Sequence, residues 1–160
     1  MKLTAERLRE VLSYDPETGV FTWFAARGSG KVGSVAGCLA KDGYRVIRID
    51  RQRYLASRLV WLYTTGSWPK FEIDHKNGIR DDDRWVNLRD VTRSENQQNL
   101  RRALSNSTTG FLGVSRHQGN FQAQIRLDGK SRYLGTFSTP EEAHAAYLNA
   151  KRGLHQTCTI

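Results

Sequence analysis

The amino-acid sequence predicts an α+β protein in two parts, and three observations lead to this prediction. Two T-x-x-E signatures, which begin at Thr92 and Thr139, mark the starts of helices. Short runs rich in β-branched and aromatic residues, such as "YRVIRID", mark strands. Near the C-terminus the runs "FLGVSRHQ", "FQAQIRL" and "SRYLGTF" follow one another closely. They predict a small three-stranded antiparallel sheet, packed on the helix that begins after Thr139.

The first part, residues 1–104, is predicted to open with a helix. "TAERLREVL" places Leu8, Val11 and Leu12 on one apolar face. The next stretch, "ETGVFTWF", predicts a turn that leads into a strand.

The middle of the first part predicts a strand and then a second helix. In "YRVIRID" we expect Arg45 and Arg48 to face outward and Val46 and Ile49 to face inward. "LASRLVWLYTTG" has helical periodicity, and Gly66 is predicted to end that helix.

A strand–loop–strand–helix order is predicted for residues 71–103. "FEIDH" is a short strand that ends at His75, and "VNLRDV" is a second strand that opens at Asn87. A helix then begins at Thr92, carries Asn96 and continues through "NQQNLRRAL".

The second part is predicted to be a separate domain, residues 111–160, after a linker at residues 105–110. The linker lies in "LSNSTTG", which is rich in Ser, Thr and Asn and has no periodicity. Within the domain, Asp128-Gly129 predicts a hairpin turn between two strands. The final helix is predicted to begin after Thr139 and to be closed by Gly153.

The charge of the chain favours a polyanionic partner. The formal net charge is +9 and the isoelectric point is near 9.9. Residues 1–104 hold 19 Lys and Arg against 13 Asp and Glu, and residues 105–160 hold 6 against 3. Both parts are therefore basic, as expected of a chain that lies along nucleic acid, although basic proteins without that function are common.

Several classes are disfavoured by what the sequence lacks. It has no signal peptide and no long apolar run, so we expect neither secretion nor membrane insertion. Cys38 and Cys158 are far apart and show no C-x-x-C spacing, which argues against zinc cages and disulfide frameworks and fits a reducing cytoplasm. The glycine-rich stretch "ARGSGKVGSVAG" does not match the Walker phosphate loop and is interpreted as a flexible loop.

One polar stretch, "EIDHKNGIRDDDRWVNLRDVTRSEN", holds the candidate active site. If its two strands pair and its helix packs across them, Asp74 and Asn96 converge where His75 points. A carboxylate and an amide oxygen are hard ligands that suit a partly hydrated Mg²⁺ or Mn²⁺. A neutral imidazole beside that ion could take a proton from water near neutral pH.

Two features of this stretch are open to a second interpretation. Asn87 is as compatible with a structural capping role as with a chemical one. The run Asp81, Asp82 and Asp83 could suggest a second metal site, but runs of like charge are usually solvated. We expect it to brace the loop through Arg84 or Arg80.

The motifs "IDHKNG", "VNLRDVT" and "SENQQN" resemble an HNH endonuclease of the ββα-metal type, in the variant whose third motif residue is Asn. "YDPETGVFTW", "RLVWLYTTGSWP" and "GIRDDDRWVNLR" resemble bacteriophage and homing members, so the likeness covers roughly residues 10–103. The resemblance implies that His75 is the general base and that Asn87 braces the loop and orients it. It further implies that Asp74 and Asn96 hold one divalent cation, Mg²⁺ or Mn²⁺, at each active site.

The segments "GVS", "FQAQIR", "YLGTF" and "EEAHAAY" resemble the DNA-binding domain of the plant Apetala and ethylene-response-factor family, over residues 109–155. The resemblance implies a three-stranded sheet that lies in the major groove of DNA, with a helix on its back. Alternation along the central strand puts Gln122, Gln124 and Arg126 on one face. The predicted DNA-binding residues are Arg116, His117, Gln122, Gln124, Arg126 and Arg132.

The sequence thus predicts a site-recognising, metal-dependent endonuclease that acts on double-stranded DNA, with no membrane partner. The resemblance implies a phage homing enzyme, which would work in the host-cell cytoplasm. One active site per chain implies nicking, or double-strand cutting by a homodimer on DNA. Two alternatives stay open: a DNA-binding regulator with an inert nuclease half, and a nuclease associated with phage packaging.

Overall fold

The computed structural model describes residues 2–24, 31–100, 103, 107–127 and 129–155. It shows a mixed protein with several small sheets, which confirms the α+β class that the sequence predicts. The chain divides into two compact units, Met1–Val91 and Thr92–Ile160. Across the described ranges, no helix is both long enough and apolar enough to cross a membrane.

The first unit is built from short elements around one apolar core. The order is α1 (Ala5–Val11), β1 (Leu12–Asp15), β2 (Val20–Trp23), β3 (Cys38–Leu39), β4 (Arg45–Ile49), β5 (Gln52–Leu55), α2 (Ala56–Thr65), β6 (Glu72–His75), a 3-10 turn (Trp85–Asn87) and β7 (Leu88–Val91). Three antiparallel sheets result: β1 with β2, β3 with β4 and β5, and β6 with β7.

Local sequence signals explain where α1 begins and where α2 ends. The Thr4 hydroxyl accepts a hydrogen bond from the Arg7 backbone N–H at 3.2 Å, and α1 begins directly after Thr4. Helix α2 ends at Gly66, whose φ of +79° is left-handed, as predicted. Leu8 is fully buried in the core, as its helical spacing predicted.

Strand β4 corrects one expectation. Ile47 and Ile49 are buried, whereas Arg48 is exposed. Because side chains alternate along a strand, Val46 lies on the same face as Arg48 and is only partly buried. The prediction that Val46 and Ile49 face inward together was therefore wrong for Val46.

The second unit opens with a short helix, α3 (Arg93–Gln98). A capping box forms as predicted, since the Thr92 hydroxyl accepts from the Glu95 N–H and the Glu95 carboxylate accepts from the Thr92 N–H. The helix ends at Gln98, earlier than predicted, with Asn99 as its C-cap. Residues 101–102 and 104–106 of the predicted helix and linker lie outside the described residues.

A three-stranded antiparallel sheet and a long helix complete the second unit: β8 (Val114–His117), β9 (Asn120–Leu127), β10 (Lys130–Phe137) and α4 (Pro140–Leu154). Strand β9 is central, between β10 and β8. Asp128 of the predicted hairpin turn lies outside the described residues, while Gly129 has a φ of +76°. Helix α4 has the predicted capping box at Thr139 but continues through Gly153 to Leu154, with His155 as its C-cap, so the predicted C-cap was wrong by two residues.

The core of the second unit lies between the sheet and α4. Ala123 and Ile125 of β9 are buried, as is Ala143 of α4. Phe111, Phe121, Leu134 and Phe137 pack around this cluster. One face of the sheet is therefore covered, and the other face carries the alternate residues.

Gly19 allows two segments of the first unit to approach closely. Its φ is +75°, and a Cβ on Gly19 would lie 2.5 Å from the backbone nitrogen of Arg84 and 2.6 Å from the carbonyl carbon of Asp83. Gly33 has a similar φ of +79° with nothing within 4 Å of a Cβ. The two glycines therefore share a backbone conformation and differ in their surroundings.

We expect Gly19→Ala to destabilise the protein by at least about 2 kcal/mol, because the left-handed conformation alone costs an L residue about 1–2 kcal/mol and the contact with the 83–84 backbone adds to it. Gly33→Ala is the control and should cost only the conformational part. The measurement is urea unfolding of the full chain, followed by tryptophan fluorescence. This signal reports on the first unit because the tryptophans lie in it. Equal losses in the two variants would show that the close approach does not matter.

Candidate functional site

The C-terminal end of β6 places two titratable residues side by side in a protected position. Asp74 is 7% exposed and His75 is 4% exposed. Strand β7 holds them in register, since Asp74 lies opposite Arg89 and His75 lies opposite Leu88. Burial of an acid and an imidazole at a strand end is costly for the fold, so their surroundings determine what they can do.

His75 forms a hydrogen bond with a carboxylate that the sequence did not single out. Its Nε2 lies 2.9 Å from Asp83 Oδ1, and Asp83 is 1% exposed. In the sequence Asp83 belongs to a run of three like charges, which is typical of a solvated loop. The expectation of a solvated run was therefore wrong for Asp83, which is fully buried.

The other oxygen of Asp83, Oδ2, is buried and has no hydrogen-bond partner within the described residues. Burial raises the pKa of the Asp83 carboxyl, while the hydrogen bond from His75 opposes that rise. The main chain of Asp83 is held as well, because its carbonyl accepts from the Tyr14 hydroxyl at 2.9 Å. Burial raises the pKa of Tyr14 to about 12, so its hydroxyl stays a neutral donor.

Asn87 closes the loop between β6 and β7. Its side-chain oxygen accepts from the Asn77 N–H at 3.0 Å, and its Nδ2 donates to the carbonyl of Asp82 at 2.8 Å and to Asn77 Oδ1 at 3.1 Å. Its own carbonyl accepts from the Lys76 N–H at 2.9 Å. Asn87 is the last residue of the 3-10 turn, so β7 opens at Leu88, one residue later than predicted.

The remaining acidic residues of the loop have separate partners. The Arg84 guanidinium donates to both carboxylate oxygens of Asp82, at 2.7 Å and 2.6 Å. Arg80 instead donates to the Asp42 carbonyl at 2.6 Å, and Asp81 is exposed. Of the two predicted bracing partners, Arg84 is thus the one that pairs with the aspartate run.

A divalent ion fits the chemistry of the residues at the end of β6. The Asp74 carboxylate is a hard oxygen donor, and the Arg89 guanidinium contacts its Oδ2, with Nε at 2.8 Å and Nη2 at 2.6 Å. Within the described ranges, no group of three or more His, Cys, Asp or Glu side chains could hold a metal ion. A site with Asp74 would therefore depend on amide, water or phosphate oxygens for its other ligands.

Asn96, the second predicted metal ligand, lies on α3 in the second unit. It is half-buried, and its backbone N–H donates to the Thr92 carbonyl at 2.9 Å. The capping box at Thr92 thus sets where on the helix Asn96 falls.

The sheet of the second unit has an outer face, opposite the face that α4 covers. Buried Ala123 and Ile125 point toward the helix, so Gln122, Gln124 and Arg126 lie on the outer face of β9. His117 is exposed at the end of β8, opposite Asn120, and its position in the alternation places it on the same face.

Two predicted DNA-binding residues have a different register. Arg116 lies opposite Phe121, and Arg132 lies opposite Ile125, so both alternate with the outer-face residues. Both are exposed at strand positions, and the Arg116 guanidinium lies over the Phe121 ring at 5.3 Å. The register also puts on the outer face four residues that the sequence did not single out: Ser115, Ser131, Tyr133 and Thr136.

Comparison with known proteins finds one matching family model and several similar curated proteins. A family model described as HNH endonuclease matches residues 54–98, which indicates a nuclease. A segment of the chain is similar to the AP2-like ethylene-responsive transcription factors CRL5 of Oryza sativa subsp. japonica and AIL5 of Arabidopsis thaliana, each 46% identical over 67 residues. These matches cover 38% of this chain and 10% and 12% of those proteins, so the chain spans about a tenth of their length. No solved structure matches the chain significantly.

The pair of Asp82 and Arg84 should make stability depend on pH in the acid range. Hydrogen bonds from Arg84 lower the pKa of Asp82 to about 2. A lowered folded-state pKa stabilises the protein above the unfolded value of about 4, and this contribution is lost as pH falls toward about 2. Because Arg84 is half-exposed, we expect only about 1 kcal/mol.

The test is the unfolding midpoint of the wild type and of Asp82→Asn between pH 7 and pH 2. The variant should be less stable at pH 7, and the difference should shrink as pH falls below about 5. Asp81→Asn makes the same chemical change at an exposed neighbouring residue and should show neither effect. A difference for Asp82→Asn that stays constant with pH would contradict the role of the ion pair.

Proposed function

We propose that this protein is a divalent-metal-dependent DNA endonuclease in which His75 takes a proton from the attacking water. The observation that carries the proposal is the position of His75, which is buried beside Asp74 at the end of β6, inside the segment that matches the HNH endonuclease model. A base fixed at a strand end, next to a hard oxygen ligand, can perform metal-assisted hydrolysis of a phosphodiester.

In the proposed reaction, a neutral imidazole removes a proton from water, and the oxygen of that water attacks the phosphorus atom. Bound Mg²⁺ or Mn²⁺ would supply stabilisation of the negative charge that develops on the phosphate and on the leaving oxygen. Asp74 would hold the ion through its carboxylate, and Asn96 is the amide ligand that the family resemblance implies. We assign Arg89 to orient the Asp74 carboxylate, since it contacts Oδ2 of that group.

We assign Asn87 an indirect role in the reaction, through the loop that it closes. Its bonds to residues 77 and 82 hold the loop that carries Asp83, the hydrogen-bond partner of His75. This supports the bracing role that the HNH resemblance implies and does not require Asn87 to touch the substrate. We propose that the two strands β6 and β7, together with α3, constitute the ββα-metal module.

The second unit is proposed to hold double-stranded DNA with the outer face of its sheet. The similarity to AP2-like transcription factors supports DNA binding by the chain, and the sequence resemblance over residues 109–155 is our reason for assigning it to this unit. The outer face offers two glutamine amides and one guanidinium from β9, and such groups can form paired hydrogen bonds with base edges. His117 is proposed to contact DNA from this face, whereas Arg116 and Arg132, which alternate with the outer-face residues, are proposed to reach DNA from the edge strands β8 and β10.

Linking a nuclease unit to a DNA-binding unit raises the local concentration of the substrate at the active site. We therefore favour an enzyme that recognises a site, of the phage homing type that the sequence resembles, acting in the host-cell cytoplasm. One active site per chain would nick one strand, and two chains bound as a homodimer would cut both.

A regulator with an inert nuclease half is the second candidate, because the similar curated proteins are transcription factors. A nuclease that assists phage packaging would share the chemistry and differ in its partners. The cleavage assay separates the regulator from both nucleases.

We expect the wild type to convert supercoiled plasmid to nicked or linear DNA with Mg²⁺ and not with EDTA. His75→Ala should lower the cleavage rate at least about 100-fold, because it removes the general base. In a gel-shift assay without Mg²⁺, the variant should bind DNA as the wild type does. Binding without cleavage by both proteins would support the regulator instead.

Arg126→Ala should weaken DNA binding about 10-fold, because it removes a guanidinium from the proposed DNA-binding face. Arg152→Ala is the matched control, since Arg152 is an exposed arginine on α4, behind the sheet. The measurement is fluorescence anisotropy at several salt concentrations, and the wild-type affinity should fall steeply as salt rises. Equal losses in the two variants, or an affinity independent of salt, would argue against this face.

A further inference from the structure

The carboxylate of Asp83 is an unusual group for the fold to bury. It is 1% exposed, and within the described residues its Oδ2 has no hydrogen-bond partner. A buried carboxylate without full compensation destabilises a protein, and an apolar residue of similar size would pack at lower cost. The other oxygen of Asp83, Oδ1, lies 2.9 Å from His75 Nε2, which makes His75 its side-chain hydrogen-bond partner among the residues that the structure describes.

We propose that Asp83 is a positioning residue that fixes His75 as the tautomer with its proton on Nε2, so that Nδ1 carries the lone pair that acts as the base. This inference rests on the proposed nuclease function. The sequence resemblance assigned the orientation of His75 to Asn87, whereas the side chain of Asn87 forms its bonds with residues 77 and 82. The Asp83 side chain, by contrast, forms a hydrogen bond with the His75 ring itself.

The tautomer follows from the hydrogen-bonding roles that a carboxylate and an imidazole can take. An ionised carboxylate only accepts hydrogen bonds, so the nitrogen that faces it must carry a proton. In a neutral imidazole the other nitrogen, Nδ1, then has the free electron pair. The carboxylate also stabilises the imidazolium that forms when Nδ1 accepts a second proton, and it does so in a buried site where screening by water is weak.

The proton and electron balance of the step is complete. Water loses a proton to Nδ1, its oxygen forms a bond to phosphorus, and the bond from phosphorus to the 3′ oxygen breaks with its electron pair on that oxygen. The 3′ oxygen takes a proton from solvent water, and the imidazolium returns its proton to solvent. Asp83 keeps its charge throughout and exchanges no atom with the substrate. It therefore acts through His75 alone.

The fold holds the main chain around Asp83 from three directions. The Tyr14 hydroxyl donates to the carbonyl of Asp83, and Asn87 Nδ2 donates to the carbonyl of Asp82. Gly19 lies against the backbone of residues 83 and 84, where a Cβ would be only 2.5 Å from the Arg84 nitrogen. A carboxylate on so constrained a backbone can define one ring orientation.

The first test reads the tautomer directly, without DNA or metal. Long-range ¹H–¹⁵N spectra of ¹⁵N-labelled protein distinguish a protonated from an unprotonated ring nitrogen. We expect wild-type His75 to be protonated at Nε2, and Asp83→Ala to give a mixture of tautomers. A wild-type ring protonated at Nδ1, or a ring unchanged in Asp83→Ala, would overturn the proposal.

The second test measures the cleavage rate at saturating protein. Asp83→Ala should lower the rate about 100-fold and leave the Kd for DNA unchanged, because only the base is affected. Asp81→Ala, which removes an exposed carboxylate two residues away, should cleave like the wild type. The double variant His75→Ala/Asp83→Ala should be no slower than His75→Ala, whereas additive losses would show that Asp83 acts independently of His75.

Two further results separate the remaining explanations. If Asp83→Ala does not fold, the near-isosteric Asp83→Asn replaces it, with an expected loss of about 10-fold because an amide accepts a hydrogen bond without charge. A wild type that does not cleave would overturn the proposed function. The tautomer spectra would still decide whether Asp83 fixes the ring of His75.

Discussion

The closure of the loop between β6 and β7 by Asn87 is the constraint on which the candidate site depends. Strands β6 and β7 have four residues each, and a two-stranded sheet of that length is marginally stable by itself. The bonds of Asn87 to residues 76, 77 and 82 tie the loop to the start of β7. The loop held in this way carries Asp83, which is buried together with His75, and polar groups in a buried site interact more strongly than in water.

Burial of the Asp83–His75 pair lowers the stability of the fold but gives the side chains of the site a defined geometry. Asp83 and His75 are buried polar residues, whereas the hydrophobic core of the first unit consists of apolar residues such as Leu59 and Ile47. The main chain beside the Asp83 carboxylate is held by hydrogen bonds from Tyr14 and Asn87, and the positive charge of Arg45 favours the ionised form of that carboxylate. Constellations of this kind, costly for the fold and tightly held, are typical of functional sites.

The sequence predicted those features that depend on local chemistry. The starts of α1, α3 and α4 follow from threonine caps, and the outward side of β9 follows from alternation within one strand. Features that depend on partners distant in the chain were not predictable. The inward side of β4 depends on what packs against it, and the register of Arg116 and Arg132 depends on the facing residues of β9. Asp83 differs from Asp81 only in its burial, which no pattern in the run of three aspartates reveals.

The pleat of β9 has a consequence for how this protein would read DNA. Residues two apart along a strand are about 6.7 Å apart, whereas neighbouring base pairs of B-DNA are about 3.4 Å apart. The outer-face residues Gln122, Gln124 and Arg126 would therefore meet every second base pair along the groove. A target read by this strand alone would be an interrupted pattern, in which specified positions alternate with tolerant ones. The neighbouring strands, offset by about 4.8 Å, would have to supply any contact at the positions between.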